Sequence, residues 1–144
     1  MKKLLAKLSW LFTAACTLAL VFCFTACAPP KGADGEVVIE GNVYVITVTA
    51  AEEGATLKDV MEQMQEDGKI AYTDVGGMIT EMGGYTPDSD AHEFFALYTS
   101  LDGFTSAAYG TMEVGGVTYE SAILGYGSLP AVVGEVYIWA IAAW

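Results

Sequence analysis

"GATLKDVMEQMQEDG", residues 54–68, is the stretch that decides the fold. Leu57, Val60, Met61 and Met64 recur at helical spacing, while Lys58, Glu62, Gln65 and Glu66 fill the opposite face. Thr56 stands three residues before Asp59, a helix-start pattern in which a carboxylate reaches back to the unpaired amides of the first turn. Gly68 is placed to end the helix. The spacing therefore predicts one amphipathic helix whose apolar stripe needs a partner to bury it. Met61 and Met64 carry soft sulfur atoms, but their register with Leu57 and Val60 reads as core filling rather than a binding site.

The partner is a sheet. Upstream, "NVYVITVTA" (42–50) is rich in β-branched residues, and "EVVIE" (36–40) adds a strand or an extension across a turn or bulge at Gly41–Asn42. Downstream, "VGGMITEMGGY" (75–85) holds a short strand between two glycine pairs. "HEFFALYTS" (92–100) is a strong strand, with Phe94, Ala96 and Tyr98 on one face and Phe95, Leu97 and Thr99 on the other. "GGVTYESAI" (115–123) gives a shorter one, and "EVYIWAIAAW" (135–144) closes the chain. Its apolar run on both faces, from Val136 to Ile141, marks a central strand. One helix among several short strands implies an α+β domain, a small, mainly antiparallel sheet packed on that helix in a β-grasp-like arrangement.

The N-terminus has a different character. Lys2, Lys3 and Lys7 precede an apolar run from Leu8 to Ala26, and no acidic residue occurs before Asp34. This is the pattern of an export signal, with an uncleaved membrane helix as its rival. "FTAC" (24–27) resembles a bacterial lipobox, with Phe24 in place of the usual leucine. Cys27 is then the lipidated first residue of the mature protein, and the domain is extracytoplasmic and tethered to the cell membrane. Cys16 would leave "TLALVFCF" exposed on the product, and Cys23 follows the bulky Phe22. The expected organisation is a lipoprotein signal peptide over 1–26, an acidic flexible spacer over 27–36, and a folded domain over 37–144.

From Cys27 onward three lysines face eighteen acidic residues, a net charge of −15, and the chain contains no arginine. Such a surface repels nucleic acid and anionic headgroups, which excludes a phosphate-reading function. The mature chain also holds no pair of cysteines for a disulfide, so its fold rests on a core alone.

Catalytic groups are sparse. His92 is the one histidine, and an activated nucleophile needs a base within hydrogen-bond reach. "GYGSLP" lacks the second glycine of a nucleophile turn, so Ser128 reads as a loop serine. "PDSDAHEF" (87–94) gathers Asp88, Asp90, His92 and Glu93. A calcium loop begun at Asp88 would need glycine and glutamate where Glu93 and Thr99 stand, and a zinc site would need more histidine or cysteine. The cluster reads as a solvated acidic loop. Neither an enzyme nor a bound metal or cofactor is expected.

What remains is a surplus of aromatic residues. Tyr85 after a glycine pair and Tyr126 within "GYG" are placed to line a ligand contact, together with Phe95 and Tyr98 on the aromatic strand. Regular alternation sends Phe95 and Tyr98 to opposite faces, so one ligand reaches both only across a strand end or a bulge.

The order of pieces carries a resemblance. A strand, "GATLKDVM", "GGMITEMGGY", "FFALYTS" and "ESAILGYGSLPAVVGEVYIWAI" together resemble the transcobalamin-like C-terminal domain family, also catalogued as a domain of unknown function in lipoproteins of Gram-positive bacteria. The likeness spans residues 43–141. The family's tryptophan on the aromatic strand corresponds to Phe94 or Phe95, and its tyrosine to Tyr98. Its asparagine–glycine is replaced by "SLDG", with Asp102 and Gly103. Gly134, Tyr137 and Trp139 match its closing strand. The resemblance implies a corrinoid such as cobalamin as ligand, packed against one face of the domain and captured for uptake by a membrane transporter. The rival reading is a cell-surface protein-interaction or adhesion module with no small-molecule ligand.

Overall fold

A computed structural model describes residues 32–144. Eight strands and one helix follow one another in these residues: β1 (Ala33–Glu40), β2 (Val43–Ala51), α1 (Leu57–Glu66), β3 (Tyr72–Val75), β4 (Met78–Met82), β5 (Glu93–Thr99), β6 (Thr105–Val114), β7 (Val117–Ala122) and β8 (Val136–Ala143). Six strands form one sheet in the order β1-β2-β8-β5-β7-β6, with every neighbouring pair antiparallel. β3 and β4 form a separate hairpin. The α+β, sheet-dominated class matches the expectation, and β8 is a central strand as its two apolar faces required.

The helix forms where its spacing puts it. The Asp59 carboxylate accepts hydrogen bonds from the N–H of Thr56 at 2.7 Å and from its hydroxyl at 2.9 Å. The next amides, of Leu57 and Lys58, donate to the carbonyls of Leu129 and Tyr126. The turn at residues 125–130 thus satisfies groups that a helix start leaves unpaired. Leu57, Val60, Met61 and Met64 are buried, and Trp139 of β8 donates its indole N–H to the Met61 sulfur at 3.2 Å. Ile46, Val48, Tyr137 and Leu129 complete this core on the helix side of the sheet. A smaller cluster, Ala96, Tyr98, Ile138 and Ala140, lies on the other face.

Three elements differ from the sequence expectation. Residues 33–36, assigned to the flexible spacer of 27–36, are the first half of β1, paired with Thr47 to Ala51 of β2. "ADGE" has no apolar periodicity, and its order comes from contacts a sequence window does not contain. Lys69 Nζ binds Asp34 and the Gly35 carbonyl, and a side chain at Gly35 would meet Met64 Sδ at 2.9 Å. β3 and β6 were not expected as strands. β6 is exposed along much of its length, so no buried face marks it. Residues 1–31, which include the expected signal peptide of 1–26 and Cys27, lie outside the described residues. Within the described residues no helix is long and apolar enough to cross a membrane.

Candidate functional site: a cleft within the sheet

β5 is treated differently by its two neighbours. It pairs with β8 along its whole length, from Glu93↔Ala143 to Thr99↔Tyr137. With β7 it pairs at Tyr98↔Ser121 and Thr99↔Glu120 and no further. Beyond Ser121 the chain leaves β5 and turns through Ile123 and Leu124 toward Gly125. β6 contributes to the same opening. Ser106 and Thr111 face consecutive β7 residues, Ser121 and Glu120, so Ala107 to Gly110 are looped out of the ladder. Gly110 sits at φ +124, a region that favours glycine, and the excursion carries Tyr109, 74% exposed.

The result is a cleft of about 630 Å³, the size of a small-ligand cavity. Phe94 to Tyr98 of β5 form its floor. Ser121 to Tyr126 form one wall, and Tyr109 and Trp144 stand at its mouth with Met78 of the β3–β4 turn. Trp144 is 78% exposed and lies against Phe94 and His92, with ring centroids 5.5 and 5.4 Å away. Met78, Ile123 and Leu124 are also exposed. These large apolar side chains gather at one opening rather than being scattered singly over the surface.

Of the four aromatic residues singled out in the sequence, three border this cleft. Phe95 and Tyr98 belong to cores on opposite faces of the sheet, as alternation requires. Both line the cleft because it is a gap in the plane of the sheet. Tyr126 is almost fully buried, with its ring edge-on to Tyr72 and Trp139. Its hydroxyl donates to Asp74 Oδ2 at 2.5 Å, which ties the β3–β4 hairpin to the turn between β7 and β8. Burial, then that hydrogen bond, pushes the Tyr126 phenol well above the usual tyrosine range. The bond from Tyr126 in turn holds Asp74 below the usual carboxylate range, with the Gly77 amide assisting.

Tyr85 is elsewhere. It donates its hydroxyl to Glu93 Oε2 at 2.8 Å, and that same oxygen accepts the Asp88 amide at 3.0 Å. The hydrogen bond to Glu93 raises the Tyr85 phenol. Asp88 accepts the Asp90 amide, and the Asp88 carbonyl accepts the Glu93 amide. The acidic turn is thus braced by its own backbone, and it delivers His92, at φ +57, to the start of β5. Tyr85 supports that turn rather than the cleft.

Sequence reasoning missed Tyr109, Phe94, Trp144, Ile123 and Leu124 as cleft residues. Tyr109–Gly110 was a readable signal, an aromatic residue beside glycine in an otherwise small, polar run. The other four depend on where β7 leaves β5, which no local pattern records. No family model, curated protein or solved structure matches this chain.

Proposed function

We propose that this is a non-enzymatic binding domain, held at the outer face of the cell membrane through a lipid on Cys27, and that its working surface is the cleft beside β5. One observation carries the reading: exposed Trp144, Tyr109 and Met78 surround an opening floored by Phe95 and Tyr98. Two of the polar side chains that line it are engaged, Tyr126 with Asp74 and Ser121 with the Leu97 carbonyl, and the lining holds no charged residue. Such walls suit the apolar face of a ligand better than bond-making chemistry. The helix lying over the sheet also supports the β-grasp-like assignment.

The resemblance to the transcobalamin-like family makes a corrinoid the first small ligand to test. Cobalamin titrated into the purified full-length protein in detergent, followed by absorbance and calorimetry, should bind. Trp144→Ala should weaken binding by about 1–2 kcal/mol without lowering stability comparably. Absence of binding, or binding indifferent to Trp144, removes the corrinoid. The protein-interaction reading gains from the unpaired half of β5, since an open strand edge is a template for another chain. Fatty-acid labelling lost in Cys27→Ala tests the anchor, and a mature protein that retains Met1 would favour the uncleaved helix.

A further inference from the structure

The gap beside β5 interrupts the backbone ladder with β7. The Leu97 carbonyl faces β7, where Ser121 Oγ donates to it at 3.5 Å. The Ser100 amide faces the other way and donates to Val136. Successive residues of a strand direct their N–H and C=O to alternate sides, so Phe95 aims both of its groups toward β7. β7 has already departed there, and among the described residues no strand or loop pairs with Phe95 on that side. Phe95 is 8% exposed, and unpaired backbone groups in a buried residue are rare and costly. The slot is bounded at one end, where the Asp88 carbonyl takes the Glu93 amide, and at the other by the Tyr98↔Ser121 pair.

We infer that the cleft accepts a short extended segment of a partner protein, added as a strand beside β5 and hydrogen-bonded through the backbone of Phe95. The inference rests on the reading of this cleft as the working surface. A peptide backbone supplies a donor and an acceptor at the strand repeat, which satisfies Phe95 in the way β7 satisfies Thr99. Its side chains would lie among Phe94, Tyr109, Ile123, Leu124 and Trp144, which line the cleft, so the segment carries apolar residues at alternate positions. Its flanks are basic. Glu93 precedes cleft-lining Phe94 in β5, Asp74 accepts the hydroxyl of cleft-lining Tyr126, Lys58 and Lys69 are the lysines of the described residues, and the whole chain carries −12. The same charge disfavours a second copy of this chain as the occupant.

The test is selection of displayed random peptides of about twelve residues on the full-length protein in detergent, with counter-selection on a Trp144→Ala/Tyr109→Ala double variant. The expected clones alternate apolar and polar residues and are net positive. Methylating one alternate set of backbone nitrogens in a selected peptide should weaken binding about tenfold or more, while methylating the other set is tolerated. Amide exchange at Phe95 should slow on binding. Peptides that bind through Trp144 and Tyr109 but tolerate both methylated sets, or leave Phe95 exchange unchanged, overturn the added strand while the cleft reading stands. No enrichment over the double variant also overturns it, and cobalamin binding that is blind to Trp144 then removes the cleft reading as well. A dimer in sedimentation that Trp144→Ala dissolves, with no peptide competing, would make a second copy the occupant and refute the inference.

Discussion

The two sides of β5 differ: one is closed into the core and the other opens onto the cleft. Toward β8, seven consecutive residues pair, and the helix covers the joint through Met61 and Trp139. Toward β7, pairing ends after two positions, and the space is bordered by exposed Tyr109, Ile123 and Leu124. The closed side follows from a simple cause. β8 is apolar on both faces, so it must be buried between neighbours. On the open side no residue of β6 or β7 is fully buried, and β6 spends four residues on an excursion out of the ladder. Little burial is gained by zipping that side shut, so the gap persists.

The largest expected contrast lies between helix-side core residues and cleft residues of similar chemistry. Met61→Ala or Leu57→Ala should cost about 2–5 kcal/mol in denaturant unfolding, because each side chain is fully buried in a packed cluster. Ile123→Ala, at 47% exposure, should stay within about 0.5 kcal/mol. Equal costs would mean that the cleft residues are core and that the comparison fails.

Tyr126 joins the two regions and should show an intermediate effect. Its carbonyl caps α1, its ring packs on Trp139, and its hydroxyl holds the hairpin through Asp74. Tyr126→Phe keeps the ring and removes the tie, which should cost about 1 kcal/mol, since the Asp74 partner is accessible to water. Faster amide exchange confined to β3 and β4 would locate the loss. Titration gives an independent view. Tyr126, Tyr137 and Tyr98 are all raised by burial, so their contribution is intact below pH 10 and declines as pH rises beyond it. Tyr126→Phe should flatten part of that alkaline loss.

Thr56→Ala comes next, at about 1 kcal/mol, because it deletes the hydroxyl that donates to Asp59 while leaving the Thr56 amide in place. Those two hydrogen bonds hold the Asp59 carboxyl below its usual 3.8. A depressed carboxylate contributes above its unfolded value and loses that contribution as pH falls through the folded one. The acid limb of a stability profile below pH 3.8 should therefore be shallower in Thr56→Ala. An unchanged acid limb would show that the amide alone sustains the cap.

Much of the closed side was legible in the sequence. The helix follows from four apolar positions and two flanking signals, and β2, β5 and β8 follow from apolar or alternating runs. β1 was half legible: "EVVIE" shows it, but "ADGE" is ordered by Lys69 and by the approach of Met64 to Gly35, contacts made from 29 or more residues away in sequence. The cleft was legible through its floor, Phe95 and Tyr98, and through Tyr126, but not through its mouth. Trp144 and Ile123 become neighbours of one opening only after β7 has parted from β5, an outcome set by sheet order rather than local pattern. Tyr85 stands apart from the cleft. Its glycine neighbours signalled a contact residue, yet the contact is internal, to Glu93.

The smallest stability effect is expected at the most exposed aromatic residue, and it sharpens the comparison most. Trp144 follows the end of β8 and has two ring neighbours, Phe94 and His92. Trp144→Phe keeps an aromatic ring there and should change unfolding by less than about 0.5 kcal/mol. Its optical effect should nevertheless be large. Trp139 is 5% exposed and hydrogen-bonded to sulfur, whereas Trp144 is 78% exposed. With Trp10 replaced by phenylalanine throughout, a soluble quencher acting on the full-length protein should therefore lose much of its effect in Trp144→Phe and keep it in Trp139→Phe. If the two variants respond alike, Trp144 is covered in solution and the mouth of the cleft is closed. If they differ as expected, the indole at the mouth is available to an incoming ligand, and the side of β5 that the fold leaves unpaired is open where binding would need it.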